Sequence, residues 1–179
     1  KLFLLALALV SLAIPSALCN TSFGNAVSFN DGWRFMAADS AAMSLPEYPD
    51  STWRQLTLPH DWSIEMLPAP TLNSCTGYYP GGIGWYRKTF LTPDDGAARH
   101  FIYFEGIYNR SEVYLNGHLL DSRPNGYVSF AYDMTPWLRP AGEPNTLAVR
   151  VDHSREADSR WYTGSGIYRD VWLVSASET

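Results

Sequence analysis

A chain of 179 residues that is 46% apolar, 15% aromatic and 17% charged has the composition of one globular domain with a heavy aromatic load. Lys and Arg number 13 against 18 Asp and Glu, for a net charge of −5, and the basic residues form no run. That balance argues against nucleic acid or an anionic membrane surface as partner and favours a neutral ligand.

In chain order, Lys1 precedes the apolar run from Leu2 to Ile14, followed by Pro15 and the small residues Ser16 and Ala17. This pattern predicts an export leader, too short to span a bilayer, cut after Cys19; lipid attachment at Cys19 is the alternative. The leader is then residues 1–19 and the mature domain 20–179, periplasmic or extracellular, with no membrane span. Cys75 is the remaining cysteine, so no disulfide framework supports the fold and stability rests on a core.

Residues 20–32 are polar and small and end in the turn Asn30-Asp31-Gly32, which delivers Trp33-Arg34-Phe35 as the first strand. From Ala37 to Asp50 periodicity is lost and a surface loop is expected; Trp53 to Leu58 then alternates until Pro59 stops it. Residues 63–83 carry Pro68, Pro70 and Pro80 with Gly77, Gly81 and Gly82, a long irregular excursion of the kind that is often functional in a compact domain. Gly84 to Phe90 resumes clean alternation, and the nearly all-apolar run from His100 to Ile107 predicts a central strand buried on both faces.

Asn116-Gly117 between Glu112–Leu115 and His118–Leu120 is the strongest local signal, because Asn-Gly suits the two positive φ values of a type I′ hairpin turn. Asn125-Gly126 repeats the device before Tyr127-Val128-Ser129-Phe130, and Pro136–Pro140 suggests a short turn or one helical turn. Thr146 to Asp152 predicts a half-buried strand with Leu147, Val149 and Val151 inward. The last strand is expected from Ile167 to Val174, behind Gly164-Ser165-Gly166, where glycine permits a sharp turn or close approach. About eight short strands separated by turn chemistry, with no long amphipathic helix, predict an all-β jelly-roll sandwich.

Before that last strand, Ser154–Thr163 is rich in Arg, Trp and Tyr without periodicity, which suits a recognition loop on a rigid root. The plainer alternative is that Trp161 and Tyr162 cap the end of the sandwich core. His60, His100, His118 and His153 have no metal-ligand spacing, and neither a phosphate-binding glycine loop nor a nucleophile elbow is present. No metal or cofactor is expected. Aromatic rings that stack on sugar faces, with Asp, Asn and Arg for hydroxyls, favour a carbohydrate ligand.

Several segments occur in an order that resembles the N-terminal sugar-binding domain of glycoside hydrolase family 2: NDGWRF at 30–35, LPHDW at 58–62, GGIGWYRKTF at 81–90, FEGIYNRSEVYLNGH at 104–118, NGYVSFAYDMT at 125–135, LAVRVDHS at 147–154 and SRWYTGSGIYRDVWL at 159–173. The similarity is greatest to β-galactosidases of the Bacteroides type. It implies a galactose-binding-like jelly roll, followed in such enzymes by an immunoglobulin-like domain and a barrel that carries two catalytic glutamates; neither barrel motif is in this chain, so no catalytic residue is expected here. It also implies that loops of this domain reach a β-galactoside-type glycan in the barrel's pocket, with Asp158 for a hydroxyl, Arg160 beside it and Trp161 as a wall, and His60 and Asp61 as second choices. For Asp61 a turn-capping carboxylate is the alternative. Two rival functions are a free-standing carbohydrate-binding module and a structural brace, and β-glucuronidases and β-mannosidases share the same domain.

Overall fold

A computed structural model of the chain describes residues 18–21, 24–155 and 159–177. The strands, in chain order, are β1 (Leu18–Thr21), β2 (Gly24–Ser28), β3 (Trp33–Met36), β4 (Arg54–Leu56), β5 (Gly82–Leu91), β6 (Arg99–Phe104), β7 (Ser111–Leu115), β8 (His118–Arg123), β9 (Phe130–Asp133), β10 (Pro144–His153) and β11 (Val171–Ala176). They form two antiparallel sheets, one in the order β1-β2-β11-β6-β9 and the other β4-β3-β5-β10-β7-β8. Helical structure among the described residues is confined to four short 3-10 turns. This is the expected all-β jelly-roll sandwich.

The frame of the six-stranded sheet is the long pairing of β5 with β10, in register from Leu91↔Pro144 to Gly82↔His153. Alternation along β10 turns Leu147, Val149 and Val151 into the core, where they meet Trp33, Phe35, Tyr86, Val113 and Leu115 from their own sheet and Ile102, Phe104, Phe130, Tyr132 and Val171 from the other. Each such side chain contributes ~1.5–3 kcal/mol by leaving water.

The outer face of β5 is also covered. Trp85, Trp53, Met43 and Ala148 form a second buried cluster beneath the segment 37–50, which sequence alone makes a plain surface loop. Arg87, only 1% exposed, explains the difference. Its guanidinium donates to the carbonyls of Met43, Leu45, Pro46 and Tyr48 and to the Asp50 carboxylate. Arg150 on Asp39 and Arg34 on Asp50 add to this, and a loop fastened from distant strands leaves no periodic trace in its own residues.

Other expectations need correction. Residues 18–28 hold two strands, β1 and β2, ahead of the expected first one. β6 alternates, with His100, Ile102 and Phe104 buried and Phe101 and Tyr103 half-buried, and it lies between β11 and β9 rather than at the centre. Its outer aromatics are apolar in sequence but stand half in water, Phe101 beneath the Arg99 guanidinium. The last strand starts at Val171, four residues later than expected; Ile167 is buried, but its carbonyl accepts from His60 N–H instead of a sheet neighbour. Asn116-Gly117 makes the expected hairpin turn, at φ +52° and +86°. Asn125-Gly126 does not; it lies where the chain crosses from one sheet to the other, and Gly126 is required because a Cβ there would sit 2.3 Å from the Tyr108 ring. The leader reading falls on residues 1–17, outside the described residues, together with Leu18 and Cys19 of β1.

Candidate functional site

At one end of the sandwich the segment 164–167 is clamped between two others. Ser165 C=O accepts from Trp62 N–H (3.1 Å), Ile167 C=O from His60 N–H (2.8 Å), and Gly166 exchanges both backbone bonds with Tyr108 (2.9 Å each). Only glycine fits at 166: φ is +124°, and a Cβ would lie 2.2 Å from the Tyr86 hydroxyl and 2.7 Å from the His60 carbonyl. This clamp is the rigid root that the Gly164-Ser165-Gly166 spacing suggests.

Asp61 ties the root to the loop above it. One carboxylate oxygen accepts from Ser63 N–H (3.0 Å) and Ser165 N–H (2.9 Å), and the other accepts from the Tyr162 hydroxyl. Partial burial, then the Asp61 hydrogen bond, pushes the Tyr162 phenol well above its ordinary value, so it stays a donor. Beneath lies a buried polar chain. Ser63 Oγ donates to the Pro80 carbonyl (2.6 Å) and lies 2.5 Å from Ser165 Oγ, itself 2.6 Å from His153 Nδ1. Each hydroxyl has one proton, so Ser165 donates to Ser63 and His153 carries its proton on Nδ1.

His60 is occupied on both ring nitrogens. Nδ1 meets the buried Tyr86 hydroxyl at 2.7 Å, while Nε2 faces Glu65 (3.1 Å) and Arg54 (2.7 Å), which are paired with each other. Burial lowers the imidazole pKa below its ordinary 6.5, and the nearby Glu65 carboxylate opposes this only in part. The ring is therefore neutral at pH 7 and serves as a strut under the loop.

Above this base the loop residues point outward. Arg160 is exposed and Trp161 is 61% exposed, so neither Trp161 nor its 39% exposed neighbour Tyr162 caps the core. The two aromatics diverge: Trp161 Nε1–H donates to the Tyr127 hydroxyl, and the Tyr162 ring packs edge-on against Tyr79 at 5.5 Å between centroids. Tyr79 also lines a cleft of about 250 Å³, with Asn73, Thr76, Pro80, His153 and Arg155 around it. The structure thus brings Arg160, Trp161, His60 and Asp61 to the same end of the sandwich; Asp158 lies outside the described residues. Sequence reasoning missed Ser63, Ser165, Glu65 and Tyr127. The available signals were the glycines at 164 and 166 and the Asn-Gly pair before Tyr127. Among the described residues, no three His, Cys, Asp or Glu side chains are grouped to hold a metal, and no helix is long and apolar enough to cross a membrane.

The arrangement offers outward rings with polar tips, a guanidinium and a polar cleft on a fixed base, which suits a hydroxyl-rich ligand with apolar ring faces. Residues 26–177 match the family described as glycosyl hydrolases family 2, sugar binding domain. Among curated proteins, a β-galactosidase of Bacteroides ovatus is 51% identical over 148 residues, covering 81% of this chain and 17% of that protein. A putative β-glucuronidase of Formosa agariphila is 43% identical over 155 residues, covering 85% and 15%. Among solved structures, a β-glycosidase from Bacteroides vulgatus superposes with a TM-score of 0.79 at 48% identity, covering 84% of this chain and 20% of that one. The chain therefore spans about a sixth of the length of these curated relatives.

Proposed function

Because the chain belongs to the sugar-binding domain of glycosyl hydrolase family 2, we propose that it serves an exported β-galactosidase by presenting its 159–163 loop to a glycan held by that enzyme's catalytic barrel. Trp161 offers a ring face to the sugar, and Arg160 and Asp158 take hydroxyls. His60 and Asp61 act from behind: their polar atoms are engaged within the protein, and they fix where the loop stands. The observation that carries this reading is an exposed Trp161 on a loop whose root is clamped by backbone bonds on both sides. The immunoglobulin-like and barrel domains of the same enzyme are the protein partners.

The test is steady-state kinetics of the complete enzyme carrying Arg160→Ala or Trp161→Ala. Loss of a ring face or a charged hydrogen bond at a sugar lowers kcat/KM by about tenfold or more, with the unfolding midpoint unchanged. An unchanged kcat/KM leaves the domain as a structural brace. A β-glucuronide is the second substrate class to measure, because a relative carries that activity in its name and the exposed Arg160 suits a carboxylate. Export is tested by the mass of the mature chain, which also separates cleavage after Cys19 from lipidation at it.

A further inference from the structure

Trp161 shares its exposed surface with a residue from a distant part of the chain. Its indole N–H donates to the Tyr127 hydroxyl at 3.1 Å, and Tyr127 and the adjacent Val128 are 47% and 52% exposed. Tyr127 sits on the crossing between β8 and β9, and that crossing is built to hold still. Asn125 Oδ1 accepts from the N–H groups of Tyr127 (2.8 Å) and Val128 (3.2 Å). The Tyr168 hydroxyl donates to the Gly126 carbonyl (2.7 Å), and Gly126 rests directly on the Tyr108 ring. Tyr108, only 4% exposed, in turn meets the Tyr127 ring edge-on at 5.4 Å between centroids. The Tyr127 ring is thus held from beneath, and the Trp161 ring is joined to it tip to tip.

Such a surface is costly to leave in water. Its chemistry matches a pyranose: apolar ring faces for the C–H face of the sugar, and the Tyr127 phenol, which accepts from the indole and keeps its own proton to donate, for a hydroxyl. The pair is distinct from Tyr162, which turns to Asp61 and to Tyr79 beside the cleft. Resting on the reading of Trp161 as a sugar wall, we infer that Tyr127 extends this wall into a platform for a second sugar ring. The substrate is then an oligosaccharide, and Tyr127 is the residue that favours it over a simple glycoside.

The test follows the Trp161 indole N–H signal in spectra of the complete enzyme, isotope-labelled at tryptophan and inactivated by Gln in place of the barrel's catalytic glutamates, assigned by its loss in Trp161→Phe, during titration with methyl β-galactoside and with a β-linked galactotetraose. The tetrasaccharide half-saturates the shift at a concentration about tenfold lower than the methyl glycoside, the equivalent of ~1.4 kcal/mol for one stacked ring. Tyr127→Leu, which keeps the apolar contact with Tyr108, abolishes that preference and leaves the methyl glycoside response in place; Tyr127→Phe retains the preference. A Tyr127 that merely supports the loop would weaken both glycans alike in Tyr127→Leu, and that result overturns the inference. Equal half-saturation by the two glycans in the wild type overturns the platform alone. A Trp161 signal that neither glycan moves overturns the platform and the sugar-wall reading together.

Discussion

Replacing Asp61 by Ala takes the acceptor away from three donors at once. Two are the backbone N–H groups of Ser63 and Ser165, residues 2% and 0% exposed, at 3.0 and 2.9 Å from the same carboxylate oxygen. A buried donor left without its partner costs ~1–3 kcal/mol, so the two amides together cost about 4 kcal/mol. The Tyr162 hydroxyl, at the exposed rim, finds water and adds little. Asp61→Asn separates the two halves of the account. Its carbonyl oxygen still accepts from both amides, while its NH₂ cannot accept from Tyr162, so the expected cost is only ~1 kcal/mol. Equilibrium unfolding in urea measures both, with the slope unchanged if the folded state stays compact. Asp61→Ala within ~1 kcal/mol of wild type, or Asp61→Asn as damaging as Asp61→Ala, would refute the claim that this carboxylate anchors the loop.

Gly166→Ala, with its Cβ driven into the His60 carbonyl and the Tyr86 hydroxyl, loses more than ~3 kcal/mol in the same urea assay, whereas Gly96→Ala, at φ +70° with nothing within 4 Å, loses only about 1 kcal/mol. Arg87→Met leaves four loop carbonyls without their cation and Asp50 with Arg34 as its remaining partner; a loss of ~3–5 kcal/mol is expected, and limited proteolysis should cut the 37–50 segment first. Lys88 is half-buried with its ammonium over the Phe29 ring, and that partial burial lowers its pKa from 10.5 to about 8. Between those values the unfolded chain binds the extra proton, so its contribution to stability rises with pH from about 8 upward; the difference curve between wild type and Lys88→Met shows this rise. His60 has the same sign in a lower window: its folded pKa lies below 6.5, so its contribution is full above 6.5 and is lost as pH falls through that value and below, a loss that His60→Gln removes.

The sandwich was legible wherever alternation and turn chemistry acted locally. Leu147, Val149 and Val151 on β10 announce a strand and its inward face, and Asn116-Gly117 announces its turn, because both signals depend on residues a few positions apart. That strand is not half-buried as expected, since Thr146 and Ala148 on its other face are buried too, Ala148 in the cluster with Trp85 and Met43. β2 was not legible: apart from Val27 its residues, Gly24–Ser28, are small or polar, and they form a strand because β11 pairs with them across the whole chain. The segment 37–50 failed for a related reason, since its fastener Arg87 lies on another strand. The site shows the same division. Arg160 and Trp161 stand out by residue type on an aperiodic loop, and Gly164 and Gly166 mark its root. Tyr127 is brought to Trp161 only by a crossing between sheets, which no spacing along the chain encodes.

A crystal structure of the complete enzyme with a slowly hydrolysed β-galactoside bound tests the central claim most directly. The account predicts the Trp161 ring in van der Waals contact with the sugar, at about 4 Å, while the 164–167 segment keeps its backbone bonds to 60–62 and 108. A sugar seated in the barrel with the 159–163 loop turned away, or buried against a neighbouring domain out of its reach, would contradict it.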